Sequence, residues 1–243
     1  LYGNSAIGHV RYSTAGASER KNTQPIVVDY SRGQIALAHN GNLINAGILR
    51  SELEAYGSIF QSTTDSEVII HLLATSQVNS LVDRITDALS KLKGAYSLLF
   101  LTETRMIAAR DPQGIRPLCF GKIDGGYVVA SETCALDLIG AKYVRDVEPG
   151  EIIIFQGNKL TSIKPFPEKK AAHCVFEYIY FARPDSHIFG KGVSRVRKEF
   201  GKSLAREHPV EADVVIPVPD SGVTAAIGYA EESGIPFAMG IIR

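Results

Sequence analysis

Ala95-Tyr96-Ser97-Leu98-Leu99-Phe100-Leu101 and Met106-Ile107-Ala108-Ala109-Arg110 are short apolar runs separated by the polar turn Thr102-Glu103-Thr104-Arg105. Runs of this length bounded by turn formers predict strands. Further strands are predicted at 118–121, 127–131 and 151–156, in quick succession. Working back toward the start, 8–12 and 34–39 have the same signature, with the polar loop 18–24 between them. Between these groups the period changes. Ile44, Ile48, Leu49 and Leu53 recur at helical spacing and the pattern stops near Gly57. A second helix opens at Asp65 or Ser66 and turns Val68, Ile69, Leu72 and Leu73 to one face; a third runs over 81–92 and is ended by Gly94. Helices set between hairpin-built sheets predict a layered α+β arrangement rather than a βαβ wrap.

The proline-rich, charged stretch Lys164-Pro165-Phe166-Pro167-Glu168-Lys169-Lys170 marks the expected domain boundary, dividing 1–165 from 166–243. Beyond it the pattern reads helix over 191–207, buried strand over 213–219, turn at Asp220-Ser221-Gly222, helix over 223–232 and strand over 235–242. Strand, turn, helix and strand in that order are the start of a parallel α/β sheet.

Composition narrows the classes. The chain has 243 residues, 45% hydrophobic and 21% charged, with 26 Lys+Arg against 26 Asp+Glu, so the net charge is zero. That is ordinary for a globular protein and argues against a general polyanion-binding surface such as a nucleic-acid interface, while leaving room for a small local phosphate pocket. No apolar run approaches a membrane span in length. The three cysteines, Cys119, Cys134 and Cys174, are far apart, which disfavours a disulfide framework or a complete metal site and fits a reducing, cytoplasmic setting. The chain starts at Leu1 and stops within an apolar, strand-like run, so we expect an internal piece of a longer protein.

Four groups of residues could carry chemistry. Asp220-Ser221-Gly222 lies between a strand and a helix, where free amides and a positive dipole end attract an anion; a divalent cation could bridge Asp220 to a phosphate, or Asp220 or Ser221 could simply cap the helix. His39-Asn40-Gly41-Asn42 reads either as a tight turn or as an oxyanion hole, with the Asn40 amide and the Gly41 N–H aimed at one oxygen. Arg11 and Asp65 could hold the two charged ends of a free amino acid, or serve as a surface ion pair and a helix cap. His9 and His39 do not read as a catalytic pair, because no convincing nucleophile follows them. Cys174, beside His173, is either a reactive thiol or a small buried apolar group. The segment 110–117 reads as a structural loop pinned by Arg–Asp pairs.

Taken in order, Gly8-His9-Val10-Arg11-Tyr12-Ser13-Thr14-Ala15-Gly16, His39-Asn40-Gly41-Asn42-Leu43 and Thr63-Thr64-Asp65-Ser66-Glu67 resemble the class-II glutamine amidotransferase domain of the N-terminal-nucleophile hydrolases. The later segments 109–118, 130–135, 177–186 and 215–222 resemble the branch of that family joined to a phosphoribosyltransferase domain. The resemblance implies a four-layer αββα glutaminase domain followed by the start of an α/β phosphoribosyltransferase-type domain. It implies hydrolysis of glutamine and transfer of the ammonia to phosphoribosylpyrophosphate, giving 5-phosphoribosylamine, the first committed step of purine synthesis.

By position in the resemblance, Arg11 holds the glutamine carboxylate with Thr14 nearby, Asp65 holds its α-amino group, and Asn40 and Gly41 form the oxyanion hole. Asp220, Ser221 and Gly222 fall in the pyrophosphate loop, where Mg2+ is expected. Cys174 matches the first ligand of the 4Fe–4S cluster found in one branch. The resemblance also implies a homotetramer inhibited by purine nucleotides. Its nucleophile is a cysteine at the mature N-terminus, which this chain does not have, and its phosphoribosyl-binding motif would lie after Arg243; the piece alone is therefore expected to complete neither reaction. The alternatives are another class-II amidotransferase and a non-catalytic paralogue that binds glutamine or nucleotide.

Overall fold

The computed structural model describes residues 3–12 and 18–242. Its main sheet has six antiparallel strands, β1 (Ile26–Tyr30), β2 (Gly33–Leu43), β3 (Gly94–Thr102), β4 (Met106–Arg110), β8 (Ile152–Gln156) and β9 (Lys159–Ile163), in that spatial order. A second sheet of three strands is ordered β6 (Gly126–Ala130), β5 (Cys119–Ile123), β7 (Lys142–Asp146). Four helices accompany them: α1 (Ala46–Ala55), α2 (Ser66–Thr75), α3 (Leu81–Ser90) and α4 (Thr133–Leu138).

Three apolar cores separate four layers. Helices α1 to α3 turn Leu49, Leu53, Val68, Ile69, Leu72, Leu73, Ile85 and Leu89 onto one face of the main sheet, where they meet Leu37, Leu98, Phe100, Ile107 and Ile152. The other face of that sheet offers Ala108, Ile153 and Phe155 to Leu118, Phe120 and Val147 of the second sheet and its flanks. The far side of the second sheet, through Cys119 and Val128, packs on Leu136 of α4 and on Ala141. Because side chains alternate along a strand, Ile152 and Ile154 enter the first core while Ile153 and Phe155 enter the second. This sandwiching explains why β8 reads as an unbroken apolar run with no polar alternation. The order is αββα, an α+β fold of the N-terminal-nucleophile hydrolase type.

After β9 the chain is irregular until a π-helical turn at Glu177–Phe181, then continues into α5 (Val193–Glu207) and α6 (Val223–Ser233). The two helices cross closely through glycines. A Cβ on Gly201 would run into the Ala225 carbonyl oxygen, and one on Gly228 into the Lys198 carbonyl oxygen. Ion pairs Lys198–Glu231 at 2.6 Å and Arg206–Glu232 at 3.1 Å flank the crossing. Gly234 ends α6 at φ 75°, a left-handed cap that suits glycine.

A polar seam joins this later part to the layers. Ala172 N donates to Gln113 O at 2.9 Å and Cys174 N to Ile115 O at 3.0 Å. The Glu132 carboxylate accepts from Arg183 N at 2.8 Å and Ser186 Oγ at 2.7 Å, and Thr133 Oγ1 accepts from His187 N at 2.8 Å.

Three expected strands are corrected. Residues 8–12 pair with no strand among the described residues, and Val10 is 99% exposed; a bond joins His9 Nε2 to His39 O at 2.9 Å. The stretches 213–219 and 235–242 meet in one parallel bridge, Val215 to Phe237. Pro217 and Pro219 have no N–H to extend that ladder, which limits it to Val215 N–Pro236 O and Ala238 N–Val215 O.

Candidate functional site

A cleft of about 540 Å³ opens where β2 ends and β3 begins. It is lined by Arg11, Asn40, Gly41 and Asp65, which the sequence spreads over 55 positions, and also by Arg116, Cys174 and Glu177. Thr14 lies outside the described residues. Asp220, Ser221 and Gly222 do not line this cleft.

β2 sets Asn40 and Gly41 side by side at its far end. They are strand residues paired with Ser97 and Tyr96, not a tight turn. A Cβ on Gly41 would run into Ala95 O and sit 2.7 Å from His39 Nε2, so only glycine fits against β3 there. The Asn40 amide is fixed from both ends. Arg116 donates to Oδ1 from Nε at 3.2 Å and from Nη2 at 3.1 Å, while Nδ2 lies 3.3 Å from Ser131 Oγ. A clamped carbonyl oxygen leaves the amide N–H2 to meet an oxygen in the cleft.

Asp65 occupies the N-cap position of α2 but makes no side-chain capping bond. Its Oδ2 accepts instead from Leu43 N at 2.8 Å, and Oδ1 lies 3.3 Å from Ser66 Oγ. The turn before it is built from buried polar groups. Asn22 trades bonds with Thr63 in both directions at 2.9 Å, and the Glu67 carboxylate accepts from Gln61 N, Ser62 N and Ser62 Oγ. Burial alone would raise the Glu67 carboxyl, but these bonds hold it below its usual value. At α6 the N-cap residue is Gly222, which has no side chain to cap with. A Cβ on Gly222 would sit 2.5 Å from Val218 O, and the Pro219–Asp220 peptide is cis.

His39 is a buried structural group. Its Nδ1 lies 2.9 Å from Ser66 Oγ, and burial pushes its pKa down against the pull of Asp65. His173 stacks on Phe189 at 4.0 Å.

Sequence reasoning passed over Arg116 and Glu177. Arg116 Nη1 sits 2.7 Å from Glu177 Oε1, and its guanidinium lies over the Phe181 ring at 4.6 Å. Burial, reinforced by Glu132 and opposed by Arg116, pushes the Glu177 carboxyl up to about 7. The loop 110–117 is held by backbone acceptors and donors rather than pinned by Arg–Asp pairs, and its end lines the cleft through Ile115, Arg116 and Pro117. Arg110 donates to the carbonyls of Arg116, Val147 and Gly114, and Asp111 accepts from Gln113 N and Ile115 N. Arg116 ends that loop and lies inside segment 109–118, which carries the resemblance without giving Arg116 a role of its own.

The metal test is negative for the residues present. Among the described residues no group of three or more His, Cys, Asp or Glu stands close enough to hold an ion. Cys174 is half-buried at the cleft, and Cys119 and Cys134 are buried elsewhere, with burial pushing the Cys119 thiol up to about 12. One thiol at the cleft does not make a four-thiolate cluster site.

A model of the glutamine amidotransferase domain matches residues 9–138. The chain is 53% identical over its whole length to an amidophosphoribosyltransferase of Rhizobium etli, covering 50% of that protein. It is 52% identical to an amidophosphoribosyltransferase of Bacillus subtilis, with 99% of this chain and 51% of that one covered. Among solved structures it resembles the glutamine phosphoribosylpyrophosphate amidotransferase from B. subtilis complexed with ADP and GMP, at 51% identity and a TM-score of 0.91, over 97% of this chain and 51% of that one. The chain spans about half the length of the curated relatives it matches. No helix among the described residues is long and apolar enough to cross a membrane.

Proposed function

The chain belongs to the glutamine amidotransferase domain family, and on that premise we propose that its parent enzyme is an amidophosphoribosyltransferase, which hydrolyses glutamine in the cleft and passes the ammonia to phosphoribosylpyrophosphate. Attack of ammonia at C1 of the ribose expels pyrophosphate and leaves 5-phosphoribosylamine, the entry to purine synthesis. The observation that carries this reading is the gathering of Arg11, Asn40, Gly41 and Asp65 around one cleft.

A free amino acid fits that set. The Arg11 guanidinium takes the carboxylate and Asp65 takes the ammonium, which leaves the side-chain amide beside Asn40 and Gly41. When a thiolate attacks that amide, the carbonyl oxygen becomes an oxyanion, and the Asn40 N–H2 and the Gly41 N–H stabilise it. The nucleophile in this reading is the family's N-terminal cysteine, whose own amine takes the thiol proton. Residues 1–165 form the glutaminase domain, and 166–243 open the phosphoribosyltransferase domain. There Asp220, Ser221 and Gly222 form the pyrophosphate loop, with the N-terminus of α6 facing the anion. Mg2+ bound with the substrate would neutralise the leaving pyrophosphate. Cys174 would be one thiolate of a 4Fe–4S cluster whose other ligands are not among the described residues, and no step here depends on it. The assembly proposed is a cytoplasmic homotetramer inhibited by purine nucleotides, in keeping with three free cysteines and with the nucleotides in the B. subtilis complex.

The test is pyrophosphate release by the full-length protein. Release from phosphoribosylpyrophosphate must require glutamine or ammonia, and Asp220→Ala must impair it while sparing glutamine hydrolysis. Turnover that instead requires fructose-6-phosphate or aspartate assigns the chain to another class-II amidotransferase, and no turnover at all assigns it to a non-catalytic paralogue.

A further inference from the structure

A second cleft, of about 450 Å³, lies at the opposite end of the main sheet, where the β1–β2 turn, the β3–β4 turn and the start of α3 converge. It is separated from Asn40 by six residues of β2, roughly 20 Å along an extended strand. Three arginines line it: Arg32, Arg84 and Arg105.

Arg84 is the unusual one. It is only 5% exposed, yet it forms no ion pair among the described residues. A buried guanidinium ordinarily meets a carboxylate or has all its donors satisfied. Here Nε has no partner among the described residues, Nη1 reaches Asn79 O at 3.5 Å, and Nη2 reaches the Tyr30 hydroxyl at 3.4 Å, both long contacts. Arg32 spends one N–H on Val78 O at 3.0 Å. Ser80 precedes α3 without a side-chain capping bond, so the first-turn amides at the cleft wall are also unclaimed by it. The one acidic residue lining the cleft is Glu103, which is exposed and pairs with none of the three arginines among the described residues.

We propose that this cleft binds a phosphate-bearing small molecule, with Arg84 as the buried anchor, Arg32 and Arg105 closing over the anion from the two hairpin turns, and the α3 amides completing the site. A phosphate offers enough acceptor oxygens for the empty donors of Arg84 and for two further guanidinium groups. The volume exceeds that of a bare phosphate and leaves room for an organic body such as a nucleoside. The inference is independent of the glutaminase reading, and its failure would leave that reading standing.

The experiment is hydrogen–deuterium exchange on the full-length protein titrated with inorganic phosphate, pyrophosphate or a nucleoside monophosphate. Peptides over 30–34, 79–85 and 102–106 report this cleft and are separate from the residues assigned to either substrate. Saturable protection of these peptides is expected, with the midpoint raised by about tenfold or more in Arg105→Ala and in Arg32→Ala, both outside the helical core. Arg84→Lys, which keeps the charge but loses the fork, should weaken protection as well. Equal midpoints for phosphate and the nucleotide identify free phosphate as the ligand, while a tighter nucleotide identifies the nucleoside phosphate. No saturable protection by any probe up to about 10 mM, or an unchanged midpoint in the Arg32→Ala/Arg105→Ala protein, overturns the proposal.

Discussion

Asn40 carries one side-chain oxygen and one side-chain nitrogen, and Arg116 decides which of them faces the cleft. Two donors on Oδ1 leave Nδ2 as the group that can meet a developing negative charge. In the full-length enzyme Asn40→Ala should lower glutamine-dependent turnover by about 100-fold or more, the scale of one lost oxyanion donor, while activity with free ammonia survives. Arg116→Lys keeps a charge beside Glu177 but not the two-pronged hold, so kcat with glutamine should fall by about tenfold at an unchanged KM. An equal loss with ammonia would show that either residue acts on folding instead.

Glu177 adds a pH signature. Its carboxyl is raised to about 7 in the folded chain from an ordinary 4.5, so between those values the native state keeps a proton that the unfolded chain releases. Stability contributed by this group is therefore full below about pH 4.5 and declines as pH rises to about 7. Glu177→Gln cannot release that proton. The melting temperature of the variant minus that of the wild type should climb across this window and level off above it; a flat difference would remove the assignment. Arg11, Asn40, Gly41 and Asp65 were legible in the sequence because each sits in a short local motif. Arg116 and Glu177 also fall inside segments that carry the resemblance, 109–118 and 177–186, but their roles were not legible, because their partners lie 76 and 61 positions away and only the folded chain brings them together.

At the scale of elements, legibility followed burial. β3, β4 and β8 are apolar on both faces and stand out in the sequence, and α1 to α3 show a clear helical period. β7 was missed, since Lys142-Tyr143-Val144-Arg145-Asp146 is largely exposed and polar and joins its sheet through backbone bonds. The six-residue helix α4 is too short to show a period, and the edge strand β9, Lys159-Leu160-Thr161-Ser162-Ile163, is largely polar; β1, Ile26-Val27-Val28-Asp29-Tyr30, does carry an apolar run and was passed over. Residues 8–12 misled because an apolar pair at strand spacing says nothing about whether a partner strand exists. The α5–α6 crossing is a further feature no periodicity announces, since it depends on backbone approaching backbone at Gly201 and Gly228. Gly201→Ala improves helix propensity yet places a methyl group against a carbonyl oxygen that belongs to the other helix. The net expectation is a loss of about 1–3 kcal/mol, read from denaturant unfolding, and a stabilised variant would contradict the close crossing.

Across the whole molecule, the layered part and the later helices are joined twice, by the covalent chain through Lys169 and Lys170 and by the polar seam from Gln113 to Ser186. The first link is exposed and irregular, while the second is a row of hydrogen bonds centred on Glu132, with the Arg116–Glu177 ion pair beside it. The covalent link is thus dispensable for cohesion once folding is complete. A protease recognition sequence inserted after Lys170, and cut in the native protein, should yield two polypeptides that co-elute in gel filtration and part only in denaturant; fragments that drift apart on the column would mean the seam is too weak to act as a weld.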